Sequence, residues 1–487
     1  MLMGPEGPLP AIPDLTRRAF AGALVLGARQ VLVSAAMLLG GIALARLLQP
    51  ADFGYYAFAA LAVSLSMVIS EGGIGASLIR ESEPPSTPDL RLAFTFQLAV
   101  SLTLAAAAWF AIPRLGVALS LSPDGTQVVA LALVAPLIAA LRTVPIVRLE
   151  RQLQFGPIGA ASVAEVITFN LVAVAMAGMG RGTISLGFGI VAGTLVGTGW
   201  LLVASPWRPR LYLSTKRLRH HLRFGLPYQG IALISVAKDS INPLMIGLIA
   251  GATQVGLVEW AQRFAAFALF ALFAMQRLLL TWFARLQFEH DDLRTAVRTS
   301  LFAAYGLVAP LAMAILVFSE PIVQDVFGEQ WAPGLPVFWW LWAANILVPA
   351  AAVGMAALNA LGESRTTFVF AVVWMVATWA LGVPLIAWLG FIGFGVANLL
   401  VQVTNLLLFR VVTRRVEFPW IRTAVVPWCM AVAAAAIGRT AYAIMPGPSL
   451  WRLLSALLIM LMAYAGFMLA RRSVRTMVLD AARGIRV

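Results

Sequence analysis

Apolar residues fill long stretches of the chain, and Gly, Pro and charged residues interrupt these stretches at intervals. Each stretch holds about 20 residues, the length at which a helix crosses the hydrocarbon core of a bilayer. The pattern therefore predicts fourteen membrane spans. Their bounds are residues 21–45, 53–79, 92–112, 128–147, 158–178, 184–204, 226–250, 255–283, 301–318, 335–360, 368–389, 392–409, 424–444 and 453–469.

Two segments that follow spans repeat at an offset of 202 residues. Residues 53–57 (Phe-Gly-Tyr-Tyr-Ala) follow the first span as residues 255–259 (Val-Gly-Leu-Val-Glu) follow the seventh. The repeat predicts an all-α polytopic membrane protein with two six-helix lobes plus two C-terminal helices. The predicted order is a cytoplasmic tail at 1–20, an N-lobe at 21–204, an Arg-rich cytoplasmic linker at 205–225, a C-lobe at 226–409, the last two spans within 410–470, and a cytoplasmic tail at 471–487.

The composition excludes a soluble protein. Hydrophobic residues make up 61% of the chain and charged residues only 11%, whereas soluble domains carry about 25% charged residues. A net charge of +14 would indicate nucleic-acid binding on a soluble chain. Here most Arg and Lys residues lie in the short loops between spans, so no nucleic-acid partner is expected.

The distribution of cations predicts the orientation. Loops on the side of the N-terminus hold 25 Lys and Arg residues, and loops on the opposite side hold five. Since positive loops remain in the cytoplasm, we expect a multi-pass protein of the bacterial inner membrane with both termini cytoplasmic. Within the cationic linker, Leu218 and Leu222 lie one turn apart, which predicts a short amphipathic helix on the membrane surface.

Catalytic chemistry finds little support in the sequence. The longest predicted external loop, 319–334, is too short for a catalytic domain, which argues against a membrane glycosyltransferase or acyltransferase. His220, His221 and His290 are the only histidines, and all fall in predicted cytoplasmic loops. Because the chain also lacks a GxxxxGK[ST] phosphate loop and has one cysteine, Cys429, we expect no enzyme activity, no cofactor and no metal site. A scaffold without transport activity would leave the charges within the spans unexplained.

Ionisable residues within spans are the candidate functional groups. Each costs about 2.5–3.5 kcal/mol on insertion scales, so such residues usually line a polar cavity. The polar positions are Arg29 and Gln30 in the first span, Glu165 in the fifth, Lys238, Asp239 and Asn242 in the seventh, and Glu259, Gln262 and Arg263 in the eighth. They predict one shared cavity, although interhelical hydrogen bonding is the structural alternative. Arg142 lies near the cytoplasmic end of its span, where extension of the side chain to the membrane surface explains it.

A set of short motifs along spans one to twelve resembles the polysaccharide transporter and O-antigen flippase family of the multidrug/oligosaccharidyl-lipid/polysaccharide (MOP) exporter superfamily. Their order and spacing, rather than any single motif, carry the resemblance. The motifs are Ala-Arg-Leu-Leu-Gln-Pro-Ala-Asp-Phe-Gly at 45–54, Glu-Gly-Gly-Ile-Gly at 71–75, Arg-Gln-Leu-Gln-Phe at 151–155, Leu-Arg-Phe-Gly-Leu-Pro at 222–227, Phe-Gly-Glu-Gln-Trp at 327–331 and Leu-Asn-Ala-Leu-Gly at 358–362.

The resemblance implies a flippase that moves undecaprenyl-pyrophosphate-linked oligosaccharide or polysaccharide units outward by alternating access. It implies a cationic cavity, for which the candidates are Arg29, Gln30, Lys238 and Arg263. Membrane lipids and the glycosyltransferases and polymerase of the same pathway are the expected partners. A multidrug or lipid-II-type exporter of the same superfamily is the alternative.

Two further roles are expected within the spans. Glu165, Asp239 and Glu259 are candidates for ion coupling, because no ATP site is present. Asn242 and Pro243 predict either a gate or a static kink, since proline removes a backbone hydrogen bond. Arg29 lies about 12 Å along its span at 1.5 Å per residue, where its planar fork could bind the lipid diphosphate. A salt bridge from Arg29 to Glu165 is the structural alternative.

Overall fold

A computed structural model describes residues 32–119, 121–286, 290–418 and 420–471, and all regular elements in these ranges are helices. The α-helices, numbered α1 to α22 in chain order, are Leu32–Leu47, Pro50–Glu71, Ile74–Arg80, Thr87–Ala118, Pro123–Ala132, Val134–Ala139, Thr143–Arg151, Phe155–Gly178, Ile184–Ala204, Thr215–Asp239, Gly247–Ala250, Ala252–Ala266, Phe270–Leu286, His290–Val317, Ser319–Ile322, Leu335–Asn345, Val348–Ala360, Ser364–Leu389, Ile392–Val403, Asn405–Arg415, Trp420–Ile444 and Ser449–Ala470. Short 3-10 turns cover Ala140–Arg142, Phe267–Leu269 and Glu329–Gly334, and π turns cover Asn242–Ile246 and Val323–Phe327.

Among the described residues, twelve helical segments are long and apolar enough to cross a membrane. This confirms the all-α polytopic class, although two of the fourteen predicted spans are missing from the set. Of the first predicted span, the structure describes only the part within α1, Leu32–Leu47. The eighth contains a 3-10 segment, Phe267–Leu269, between α12 and α13.

The predicted linker helix is not a separate element. Helix α10 begins at Thr215 and continues to Asp239, so Leu218 and Leu222 belong to the first turns of predicted span seven. Both leucines pack against a buried cluster that includes Ile74 and Leu78. The apolar pair therefore packs within the protein.

The chain divides into two compact units. The first unit contains Met1–Gly41, Ala62–Pro113 and Gln127–Leu233, and the second contains Ile42–Leu61, Arg114–Thr126 and Ile234–Val487. Helices α1, α2, α4, α5 and α10 each contribute residues to both units.

Glycines allow α8 and α9 to pack closely in the first unit. An added Cβ at Gly193 would lie 2.7 Å from the carbonyl oxygen of Glu165, and one at Gly197 would lie 2.8 Å from Glu165 Oε2. The two glycines are four residues apart and thus share one face of α9. Small residues at this spacing let membrane helices approach until their backbones touch, which stabilises packing where the hydrophobic effect is weak.

The repeated glycines of the sequence meet in the second unit, where α2 crosses α12. A Cβ at Gly54 would lie 1.9 Å from the carbonyl oxygen of Ala252, and a Cβ at Gly256 would lie 1.7 Å from that of Pro50. An offset of 202 residues relates Gly54 to Gly256 and Pro50 to Ala252, so the two contacts are equivalent. The repeated glycines therefore let the backbones of α2 and α12 touch through two equivalent contacts.

Two of the sequence motifs also contact each other in the second unit. The indole of Trp331 is fully buried and donates its Nε1–H to the carbonyl of Ala45 at 2.9 Å, and Gln330 donates to the same carbonyl. Arg46 donates through Nε to the carbonyl of Val326 at 2.7 Å. The ring of Phe53 packs edge-on against Trp331. These contacts satisfy carbonyl groups at the end of α1 and of the π turn Val323–Phe327, where intrahelical donors are lacking.

Replacement of Gly256 by Ala is expected to destabilise the protein. The new methyl group would overlap the Pro50 carbonyl, so α2 and α12 must separate at a cost of about 1–3 kcal/mol. Gly199→Ala is the matched control, because its Cβ would meet no atom within 4 Å and alanine favours a helix by about 0.5–1 kcal/mol. Thermal unfolding of the detergent-purified variants checks this, and equal melting temperatures for the two variants would contradict the crossing.

Candidate functional site

Some of the described candidate residues form a cluster in the second unit around Asn242. This residue begins the π turn that follows α10, and its side chain is buried at 1% exposure. Its Nδ2 donates to Glu259 Oε1 at 2.8 Å and to Gln262 Oε1 at 3.1 Å. Glu259 and Gln262 are three residues apart on α12 and so face Asn242 together. Three polar side chains predicted from two spans thus meet at one place.

The helix is irregular where the sequence predicts a kink. Pro243 cannot donate to the helical ladder, and the backbone adopts a π turn over Asn242–Ile246. Such π-helical turns are rare in proteins, and those that do occur are often found at functional sites. The structure therefore shows a π turn where the kink was predicted, and a role of this turn as a gate stays a prediction.

One buried oxygen in this cluster has no hydrogen-bond donor. Asn242 Oδ1 is inaccessible and without a partner among the described residues. It belongs to the same side chain that contacts the oxygens of Glu259 and Gln262. Oxygen atoms of carboxylate and amide groups are the ligands that hard cations prefer. Because Asn242 faces the other two side chains through Nδ2, its Oδ1 could join their oxygens around a small cation only after the amide group rotates.

Arg263 lies beside this cluster on α12. Its Nη2 is 3.5 Å from Glu259 Oε2, as expected for charges four residues apart on a helix. The guanidinium also lies over the ring of Tyr56, with Cζ 5.4 Å from the ring centre. Half of the side chain remains exposed, so the positive charge is still accessible to an anionic ligand.

Lys238 and Asp239 contact each other at the end of α10. The Lys238 Nζ lies 2.8 Å from Asp239 Oδ1. Both side chains are exposed, with accessible fractions of 44% and 71%. The two residues thus form an ion pair with each other. An ion pair with this exposure contributes little to stability.

Glu165 belongs to a cluster in the first unit. It accepts a hydrogen bond from Arg142 Nη1 at 2.8 Å, and less than a third of each side chain is exposed. Arg142 ends the 3-10 turn that separates α6 from α7, and this turn directs it toward α8. Arg142 is thus held by a carboxylate, a contact that the sequence analysis did not predict.

Two more polar residues accompany this pair. Glu71, the last residue of α2, lies close to Arg142 and is hydrogen bonded to Gln229 of α10. Gln229 also donates to the carbonyl of Val68 at 3.0 Å and is buried. The sequence analysis overlooked Gln229 as a contact residue. A single glutamine in an apolar run was the signal, because a polar group in a span needs a partner.

Arg29 and Gln30 lie outside the described residues. Their proposed contacts with substrate therefore stay predictions.

A sequence profile of the polysaccharide biosynthesis protein family matches residues 43–336, more than half of the chain. The chain belongs to this family. The resemblance predicted from the motifs is thus confirmed, and the twelve candidate spans make this member a multi-pass membrane protein.

Two relatives match over most of their length. Succinoglycan biosynthesis transport protein ExoT of Rhizobium meliloti (strain 1021) is 24% identical over 337 residues, which cover 69% of this chain and 68% of that protein. Lipopolysaccharide biosynthesis protein WzxC of Escherichia coli (strain K12) is 24% identical over 319 residues, which cover 62% of each chain. The alignment thus spans just over two thirds of the first relative and just under two thirds of the second.

The fold is that of solved membrane transporters. It matches lipid II flippase MurJ, in an inward closed conformation, with a TM-score of 0.76 and 14% identity, over 94% of this chain and 100% of that one. A multidrug resistance MATE family transporter of the MOP superfamily matches with a TM-score of 0.59 and 15% identity, over 80% of this chain and 94% of that one. At these identities the likeness establishes the fold alone.

The Arg142–Glu165 pair is expected to stabilise the first unit. Glu165→Gln leaves the guanidinium without its anion, and loss of a charged hydrogen bond costs about 1–3 kcal/mol. The double variant Arg142→Glu with Glu165→Arg restores opposite charges and should recover part of the loss. Melting temperatures in detergent measure the effect, with Glu83→Gln, at an exposed carboxylate, as control. If the double variant were less stable than Arg142→Glu alone and Glu165→Arg alone, the two residues would not interact.

Proposed function

We propose that the protein is a flippase that moves undecaprenyl-pyrophosphate-linked oligosaccharide or polysaccharide units across the bacterial inner membrane by alternating access. One observation carries the proposal: a chain of the polysaccharide biosynthesis family has a fold that matches the whole of a lipid II flippase. A protein with this fold and with paired charges inside its spans is suited to transport. The proposal assigns it no enzyme activity and no cofactor.

The sequence relatives favour a sugar-containing substrate over a drug. Both are proteins of polysaccharide or lipopolysaccharide biosynthesis, and one is named a transport protein. The multidrug transporter and the lipid II flippase resemble this chain in fold, at 15% and 14% identity. A multidrug or lipid-II-type exporter is therefore the less supported alternative. The proposed partners are the glycosyltransferases and polymerase that make and extend the substrate.

The excess of Lys and Arg in the loops on the side of the N-terminus supports an orientation with both termini in the cytoplasm. In that orientation the first span enters the membrane from the cytoplasm. Arg29 then lies below the headgroups and short of the midplane. We assign Arg29 and Gln30, with Lys238 and Arg263, to the binding of the anionic diphosphate and sugar.

Ion coupling is proposed for the Asn242 cluster. Glu259 supplies a carboxylate, Gln262 an amide oxygen, and Asn242 Oδ1 is buried without a donor. Glu165 and Asp239 remain candidates, but each already has a cation within 2.8 Å. A cation that binds at Glu259 would compete with Arg263 for the same carboxylate, so binding would release the guanidinium toward substrate.

Expression of the chain should restore surface polysaccharide in a strain that lacks its own lipid-linked sugar flippase, without raising resistance to drugs. In this proposal, transport of the lipid-linked sugar requires Arg29 to bind its diphosphate. Arg29→Lys should therefore retain part of the activity, because a point charge replaces the bidentate fork. Arg29→Glu should abolish it.

Immunoblots for polysaccharide and for membrane insertion provide the measurements. Drug resistance without polysaccharide would support the multidrug alternative. Full activity of an inserted Arg29→Glu variant would refute the role of Arg29 alone and leave the function standing.

Transport should also depend on an ion gradient through Glu259. In sealed vesicles, Glu259→Gln should abolish gradient-driven flipping of lipid-linked oligosaccharide, because it removes the only carboxylate of the Asn242 cluster. Glu320→Gln, at an exposed carboxylate of the second unit, is the control and should flip normally. Wild-type flipping that continued unchanged after ionophores had collapsed both the proton and the sodium gradients would refute coupling.

A further inference from the structure

Three side chains with metal-binding atoms meet in the first unit, where the segment after α3 lies against the first turns of α10. Glu81 Oε1, His220 Nε2 and His221 Nδ1 all lie within 4.8 Å of one another. Glu81 Oε1 is 3.4 Å from each of the two imidazole nitrogens. The proposed transport role leaves this cluster without a function.

The geometry points to a binding site for a divalent transition metal, of the Zn²⁺ class, formed by Glu81, His220 and His221. A zinc ion with bonds of about 2.0–2.1 Å in tetrahedral geometry holds its ligand atoms about 3.4 Å apart. Two pairs of ligand atoms already have this separation. Water would complete the tetrahedron. Two imidazoles and one carboxylate suit Zn²⁺, Co²⁺, Ni²⁺ or Cu²⁺ rather than Mg²⁺ or Ca²⁺, which prefer oxygen ligands.

The surroundings of His221 allow the tautomer that a metal needs. Its side chain is buried, and Nε2 faces Asp89 Oδ1 at 3.6 Å. A proton on Nε2 directed at this carboxylate leaves the lone pair of Nδ1 free for a metal, an arrangement common among metal-binding histidines. Ser77 Oγ lies 3.1 Å from Nδ1. In this tautomer its hydroxyl donates to the nitrogen and would rotate away when a metal takes the lone pair.

Two arginines hold the other parts of the cluster in position. Arg151 Nη1 donates to the carbonyls of Leu78 at 2.9 Å and of Glu81 at 2.6 Å, so the backbone that carries Glu81 is fixed. Arg217 Nη1 donates to Asp89 Oδ1 at 2.6 Å. Since these groups are already ordered, a metal would bind with little loss of conformational freedom. The bound ion would tie the segment after α3 to α10.

The alternative is a hydrogen-bonded contact between Glu81 and the histidines that binds no metal. A metal titration of the full-length chain separates the two, provided that the affinity tag contains no histidine. The background is Cys429→Ser, because Cys429 is an exposed thiol. The protein is stripped with a chelator, freed of it, and titrated with Co²⁺, which is followed by its visible absorption, and then with Zn²⁺ in competition.

We expect one Co²⁺ per chain, displaced by one Zn²⁺, and a higher melting temperature with Zn²⁺. His220→Ala and Glu81→Gln should each weaken binding at least about 10-fold. The His220 side chain is 73% exposed, so its removal should leave the fold intact. His290→Ala and Glu83→Gln are the matched controls and should bind as the parent does. Absence of Co²⁺ binding by the parent, or equal binding by a folded His220→Ala variant, would overturn the site.

Discussion

Polar atoms inside a membrane protein must find their partners within the protein, because lipid offers none. The described charged residues of both candidate clusters meet this requirement. Arg142 is held by Glu165, and Arg263 lies against Glu259. In each case the helix is irregular nearby, as a 3-10 turn at Ala140–Arg142 and a π turn at Asn242–Ile246. Such turns release backbone groups and redirect side chains, so they are tolerated where neighbouring helices cover them.

Close helix approach is the second constraint. In a bilayer, packing and hydrogen bonds rather than the hydrophobic effect hold helices together, so small residues are needed at the contacts. Gly54 and Gly256 allow one such approach through equivalent contacts. In the first unit, Gly73 and Gly225 allow another, since a Cβ at Gly73 would lie 2.1 Å from the carbonyl of Gly225. The two family motifs that contain Gly73 and Gly225 therefore contact each other through these glycines.

Stability and transport make different demands on the polar groups. The Arg142–Glu165 pair is closed, in the sense that each charge has its counterion at hydrogen-bond distance. The Asn242 cluster is open, because one buried oxygen lacks a donor and the nearby guanidinium is half exposed. A transporter has to exchange partners during its cycle. The open cluster is the better candidate for that exchange.

The sequence alone determined the all-α membrane class, most of the spans and the family, because hydrophobic run length and local motifs are properties of neighbouring residues. It also indicated that Asn242, Glu259 and Gln262 share a polar role. It could not assign partners. Arg142 and Glu165, or Glu81 and His220, are brought together by the rotation and lateral position of separate helices, which no spacing along the chain encodes.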